Sequence, residues 1–447
     1  MFDTDIVWKR IGYMGPLMGI VFIYLLCRYS ASKFGAQAQK PPTPKTEKDP
    51  KFGTWKPVHF DYPTITPFPT DPMENKPIPY RPFRAGEYPV TMGIRAMDSD
   101  EWIEIDEEYL AYQRIRSHRI QTRGEEVIRV LHDNPGLVSS GAGASIELVH
   151  ELAEYLSRRF PTMFEIVRHS SSVVSESTGW YGLPPIKSIR VLPVGKSYEI
   201  PMHLDDGENA AVRALEIASL MIQEDIVIMV EGTDGRYYFQ AGAVLIAGFW
   251  RMQDKIGMPL DEIHNSGHVP RYKEKLQTGM GRLFQKLPVD KPVARHNYFF
   301  QAVKPPGEGV VSLDPEELAW SETLLGPEDN FKKAHSDQQE TRPTYTPSHI
   351  RLRTERQTLR RLPRTGAIAF TIRTYLTPVE HLKHEPGVVR RLAGALRGWG
   401  QDISEYKGKD AGGGWWDVLM EYLDKCSDEK MQEDQAKLVA AEPQYPF

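Results

Sequence analysis

Residue types that could bind a metal-containing group crowd into one stretch, Ile263-His264-Asn265-Ser266-Gly267-His268-Val269-Pro270, set between Lys255-Ile256-Gly257 and Arg271-Tyr272. A neutral imidazole offers iron a nitrogen lone pair, and a loop that follows a packed segment can present it to a pocket. Two histidines four apart could instead clasp one ion from a helix face, but Gly267 and Pro270 argue against a helix there. Taken alone, either histidine reads more readily as a turn or core residue.

A second constellation is Arg351-Leu352-Arg353-Thr354-Glu355-Arg356-Gln357-Thr358-Leu359-Arg360-Arg361-Leu362-Pro363. It holds more cations than a simple strand calls for, and guanidinium groups suit bidentate binding of carboxylates. On composition alone the better reading is a solvated basic face, balanced by the acidic stretch from Asp314 to Arg342.

The remaining composition narrows the chemistry. Cys27 and Cys426 are the two cysteines of the 447 residues, so no thiolate zinc or iron–sulfur cluster can be built from this chain. A metal must use nitrogen or oxygen ligands or arrive inside a cofactor. The 55 Lys and Arg against 60 Asp and Glu give a net charge of -5, without the basic footprint that nucleic acid binding requires, so no nucleic acid partner is expected. Gly141-Ala142-Gly143 lacks the third glycine of a dinucleotide-binding loop and reads as a helix start. No Asn-x-Ser/Thr acceptor occurs, which together with the scarcity of cysteine leans toward a cytosolic body.

The elements that must position these residues follow from periodicity. Apolar residues at helical spacing predict helices over Ser145–Phe160 and Asn209–Ile222. Ile226–Val230 and Tyr237–Ile246 read as strands joined by a turn at Thr233-Asp234-Gly235, with further strands at Tyr298–Val303, His349–Arg353 and Ala367–Tyr375. Such a series predicts an α+β fold, an antiparallel sheet with helices on one side. The apolar run Ile11–Cys27, flanked by Lys9, Arg10 and Arg28, predicts a single-pass anchor within residues 1–30 that leaves the body in the cytosol, on an endomembrane; a cleaved signal peptide is the competing reading. A proline-rich tether fills residues 31–87, its aromatic residues packing the later part onto the body. The body spans 88–406 with an acidic surface insertion at about 310–345, and residues 407–447 hold a helix from Trp415 to Leu423 and a polar tail.

Together, Gln223-Glu224-Asp225, Phe249-Trp250, Lys255-Ile256-Gly257, Ile263-His264, Val269-Pro270, Arg295 with Asn297, Arg353-x-Glu355-Arg356-Gln357-Thr358-Leu359-x-Arg361-Leu362-Pro363, Gly366-Ala367 and Phe370-Thr371-Ile372-Arg373-Thr374-Tyr375 resemble the haem-dependent oxidative N-demethylase family (alpha-subunit-like), whose fungal members are also called HRQ family proteins. Weaker similarity extends from about Tyr88 to Tyr406. The resemblance implies a PAS-like fold holding haem b. It also implies oxidation of the carbon next to an amine nitrogen with O2, giving a dealkylated amine and an aldehyde, with electrons from a separate flavin or iron–sulfur reductase. By the same resemblance His264 is the axial iron ligand and His268 the reserve. Arg295, Arg353 and Arg361 are cofactor-binding arginines, and Glu355 orients an arginine rather than acting as a base. The segment Asn265–His268 is longer than the family's usual loop, and Tyr298 stands where bacterial relatives tend to have Trp.

Two other functions compete. A PAS-like fold can sense a haem or ligand without turnover. The anchor, the proline stem and Asp98-Ser99-Asp100 together also suit a membrane-anchored glycosyltransferase.

Overall fold

The computed structural model describes residues 51–170, 183–246, 251–302, 345–409 and 414–433. All the elements below belong to the unit Phe52–Phe447. The strands in chain order are β1 (Arg95–Ala96), β2 (Ile128–Val130), β3 (Phe164–Arg168), β4 (Ile186–Val191), β5 (Lys196–Glu199), β6 (Asp225–Glu231), β7 (Tyr237–Ala243), β8 (Val293–Ala302), β9 (Ile350–Arg361) and β10 (Ile368–Pro378). The α-helices are α1 (Tyr109–Arg123), α2 (Ala142–Arg159), α3 (Ala210–Met221), α4 (Leu260–Ser266), α5 (Gln277–Lys286), α6 (Val388–Arg397), α7 (Gln401–Tyr406) and α8 (Trp415–Glu433). One antiparallel sheet runs β1-β8-β9-β10-β6-β7-β2, and β3-β4-β5 form a smaller one. The apolar run Ile11–Cys27, Phe249-Trp250 and the acidic stretch 310–344 lie outside the described residues. Within the described residues no helix is long and apolar enough to cross a membrane.

The β6–β7 hairpin forms where Asp234-Gly235 allows a tight reversal. Gly235 sits at φ +79°, a region that costs a side-chain-bearing residue energy, and the Asp234 carboxylate accepts from Arg236 N at 3.0 Å and from the Tyr238 hydroxyl at 2.7 Å. Every position from Ile226 to Met229 is apolar, the pattern of a strand covered on both faces. Ile226 and Ile228 pack with Leu148, Val149 and Leu152 of α2 and Ala214 and Leu215 of α3. Val227 and Met229 turn the other way, onto Phe239, Ile263 and Phe284. Helices therefore flank both faces of the sheet, correcting the expectation of one side. Truncating a fully buried residue such as Leu152 to Ala in a core of this kind costs about 2–5 kcal/mol.

The arginine-rich stretch is a single buried strand, not a short strand followed by a solvated basic face. The positions facing α2 find carboxylates there and in the segment before α1: Arg356 with Glu104 at 3.0 Å and Arg360 with Glu151 at 2.6 Å. Arg373 on β10 pairs with Asp106 at 2.6 Å. Because these partners are themselves nearly buried, the pairs hold one arrangement more than they add net stability, and losing one member leaves an uncompensated charge.

The later tether lies on this unit. Tyr80 and Phe83 are buried, and Trp55 donates from Nε1 to the Pro363 carbonyl at 3.0 Å. Gly366 lies under that indole at φ +71°, where a Cβ would come within 2.3 Å of the ring. Helix α8 is longer than Trp415–Leu423 and packs Trp415 against Phe300.

Candidate functional site

Side chains alternate across a strand, so β9 divides its residues between two faces. Arg353, Glu355, Gln357 and Leu359 line a cavity of about 280 Å³, joined by Arg295, Asn297 and Phe299 of β8, Phe370 and Ile372 of β10, and Asp225, Val227 and Met229 of β6. The register explains the grouping: Arg295 lies opposite Gln357, Gln357 opposite Ile372, and Ile372 opposite Asp225, one row across four strands. The far wall comes from α4, α5, the segment Tyr88–Ile94 and α7 with Lys407. A second cavity of about 70 Å³, beside Phe60, Tyr62 and Trp102, offers Arg360, whose charge is already committed to Glu151.

His264 lines the larger cavity from α4, where Leu260, Asp261 and Glu262 begin a short helix after Pro259. That helix ends at Ser266, before Gly267, so His264 is helical and His268 is not, contrary to the expectation that Gly267 and Pro270 would exclude a helix. Its Nδ1 donates to the Leu260 carbonyl at 2.7 Å, which assigns the proton to Nδ1 and the lone pair to Nε2. The Tyr272 ring stacks on the imidazole at 4.8 Å and 10°. Burial lowers its pKa to about 4, against the pull of the Leu260 carbonyl and with help from the Arg295 and Lys255 charges. His268 is exposed at φ +52° and does not line the cavity.

The four remaining sequence candidates separate in the same way. Arg295 reaches the cavity with no carboxylate in ion-pair range and no partner for Nε among the described residues, and burial lowers its pKa. Arg353 is committed to Glu355 at 2.9 Å, the Ile246 carbonyl at 3.0 Å and Thr374 Oγ1 at 2.9 Å. Glu355 also accepts from Gln357 Nε2 at 2.9 Å. Arg361 lies outside the cavity, its guanidinium donating to the Leu287, Gly366 and Phe284 carbonyls and the Tyr237 hydroxyl. The site also contains Lys407, which sequence reasoning missed; Ile403, Tyr406 and Lys407 fall at i, i+3 and i+4, one helical face, and all three line the cavity.

Other motif residues serve the architecture. Asp225 binds Arg116 at 3.0 Å and accepts from Leu245 N and Ile246 N, while Gln223 exchanges hydrogen bonds with Asp106. Gly141 precedes α2, as the helix-start reading expects. The Asp98 carboxylate accepts from Asp100 N in a local turn, and the Asp100 carboxylate accepts from Thr66 N of the preceding segment. Among the described residues no group of three or more His, Cys, Asp or Glu side chains could hold a bare metal ion.

An α+β protein with a mostly apolar cavity, one neutral imidazole and a guanidinium that has no carboxylate in ion-pair range among the described residues has the donor set of a prosthetic-group site whose metal arrives with most of its ligands. The chain belongs to the haem-dependent oxidative N-demethylase, alpha subunit-like family, whose model matches residues 93–420. The cavity's residues fit haem: Val227, Met229, Phe239, Leu359 and Phe370 offer an apolar wall, His264 Nε2 a ligand lone pair, and Arg295 a cation with no ion-paired carboxylate among the described residues.

Proposed function

We propose that this chain is a haem b oxidoreductase that oxidises the carbon next to an amine nitrogen, using O2 and electrons from a separate reductase, and releases a dealkylated amine and an aldehyde. Bound in the cavity, the haem supplies the iron at which O2 is reduced. His264 would hold the haem iron in this reading, with the Leu260 carbonyl fixing its tautomer and Tyr272 its ring plane. Arg295 pairs with a haem carboxylate. Arg353 and Glu355 brace one another as cavity wall, and Glu355, already accepting from two side chains, is a poor general base. Met280, Leu283 and Phe284 of α5 exclude water, which favours the amine as its neutral base. The sheet, with α4 and α5 laid over one face to enclose a ligand, supports the PAS-like description. A membrane anchor at Ile11–Cys27 belongs to this reading on composition alone.

The observation that carries it is the neutral imidazole sharing one cavity with a guanidinium that has no ion-paired carboxylate among the described residues. The test is the absorption spectrum of the full chain expressed with a haem precursor, followed by aldehyde assay with reductant, O2 and candidate amines. A stoichiometric Soret band that His264→Ala alters more than His268→Ala is expected, with steady aldehyde release. A folded, colourless protein overturns the proposal, and an amine-induced spectral shift without aldehyde makes the chain a sensor instead.

A further inference from the structure

The charged groups of the large cavity do not cancel. Asp225 is neutralised by Arg116 at 3.0 Å, Glu355 by Arg353 at 2.9 Å, and Arg251 by Asp254 at 2.9 Å; Lys255, at the α4 end, keeps its charge and is turned toward Ser266 Oγ at 2.9 Å. At the opposite end lie Arg295 and Lys407, and among the described residues neither has a carboxylate in ion-pair range. Lys407 is 8% exposed, follows the last residue of α7, and donates to the Tyr298 carbonyl. Aromatic faces complete its surroundings: Tyr298 at 4.6 Å, Tyr88 at 5.1 Å and Trp399 at 5.5 Å. These are neutral partners that tolerate an ammonium without cancelling it. Burial lowers the Lys407 pKa, Tyr88 and the more distant Glu355 oppose that, and the Arg295 charge adds a smaller lowering, so the two cations share one field.

We propose that Arg295 and Lys407 form a two-point anion site built for a ligand with two carboxylates on a flat apolar body, Lys407 holding the carboxylate that Arg295 does not. Resting on the haem reading, this assigns a role to a residue outside the family motif quoted above. Two like charges facing one largely apolar cavity repel, and a dianion relieves that repulsion where a monoanion leaves one cation uncompensated. The pair is chemically asymmetric. A guanidinium can take a carboxylate through two parallel N–H bonds, whereas an ammonium acts as a point charge that also fits an aromatic cage. The same charge disfavours a cationic ligand anywhere near α7.

The experiment titrates the full chain with iron-free protoporphyrin IX and with its dimethyl ester, following porphyrin fluorescence, since neither requires an axial histidine. The free acid is expected to bind on the order of tenfold or more tightly than the ester, as charge-assisted hydrogen bonds are lost on esterification. Lys407→Met and Arg295→Gln should each erase most of that preference while leaving ester affinity close to wild type, and Lys407→Arg should restore it. Equal binding of acid and ester by the wild type overturns the anion site. So does a Lys407→Met variant that keeps the full preference, or that weakens both ligands alike and thereby shows only a packing role. A preserved acid preference, with a haem spectrum indifferent to His264→Ala, overturns the axial-ligand reading and leaves the anion site standing. Binding of neither porphyrin overturns the haem reading and the anion site together.

Discussion

Arg295→Met should stabilise the empty protein and weaken its hold on haem, opposite effects from one side chain. In the empty state the guanidinium is enclosed by the cavity wall, burial lowers its pKa, and its Nε has no partner among the described residues, so removing it breaks no ion pair. Replacing buried ions by apolar side chains of similar volume is neutral to stabilising by about 1–4 kcal/mol, and a cation without a counter-charge belongs in the upper part of that span. A gain of about 1–3 kcal/mol follows, or a few degrees in Tm, given about 2–4 °C per kcal/mol for domains of 150–250 residues and less for a larger unit. With haem bound, the same substitution removes a charge-assisted contact worth about 1.5–3 kcal/mol, so affinity should fall roughly ten- to a hundredfold. Urea melts of the haem-free wild type and variant, repeated with saturating haem, measure both quantities. A haem-free variant less stable than wild type by more than about 1 kcal/mol would mean that Arg295 has a structural partner, and the charge argument for the cavity would fail.

Other outcomes are expected. Arg373→Met strands the buried Asp106 carboxylate and should cost about 3–5 kcal/mol, whereas Arg397→Ala, which breaks the half-exposed pair with Asp424, should cost no more than about 1 kcal/mol; similar losses from both would refute the distinction. His150, buried on α2 beside the Pro201 carbonyl, is held neutral by burial down to about pH 4 rather than 6.5. A histidine depressed in this way contributes its full stability above pH 6.5 and loses it as pH falls toward 4, on the order of 3 kcal/mol at about 1.4 kcal/mol per pH unit. Urea melts from pH 7 to pH 4 should therefore show a smaller acid loss for His150→Asn; an unchanged slope would rule out that assignment. Arg271, at φ +54° just after the helix that carries His264, binds Asp402 on α7 at 2.7 Å, linking two walls of the cavity. Asp402→Asn should speed haem transfer to apomyoglobin about two- to fivefold, the worth of a partly exposed ion pair, and an unaltered rate would rule out this link as a brake on haem release.

Features encoded by near neighbours were readable in advance. The β6–β7 hairpin announces itself through Asp234-Gly235 between apolar runs, and α2 and α3 through their periodicity. The arginine strand was misjudged because its neutralising carboxylates are remote: Glu151 is 209 positions from Arg360 and Glu104 is 252 from Arg356, so no local window contains both halves of a pair. The acidic stretch nearest in sequence drew the balance instead. Resemblance pointed to His264 and Arg295, which line the cavity, and also to Arg361, which does not. Lys407 escaped because a single lysine at the expected edge of the body carries no motif.

The motif from Arg353 to Arg361 owes its density to strand parity. Alternate residues answer to different demands: Arg353, Glu355, Gln357 and Leu359 line the cavity, while Arg356 and Arg360 bind the carboxylates that seat α2 and the segment before α1. A slip of one residue would turn Arg356 and Arg360 into the cavity and present Glu355 to Glu104 and Leu359 to Glu151, stranding charge on both faces. The ion pairs behind the sheet thus fix the register that aims Arg353 and Glu355 forward. A change on the far side, Glu151→Gln for example, acts on the cavity through that register rather than through any contact with a ligand.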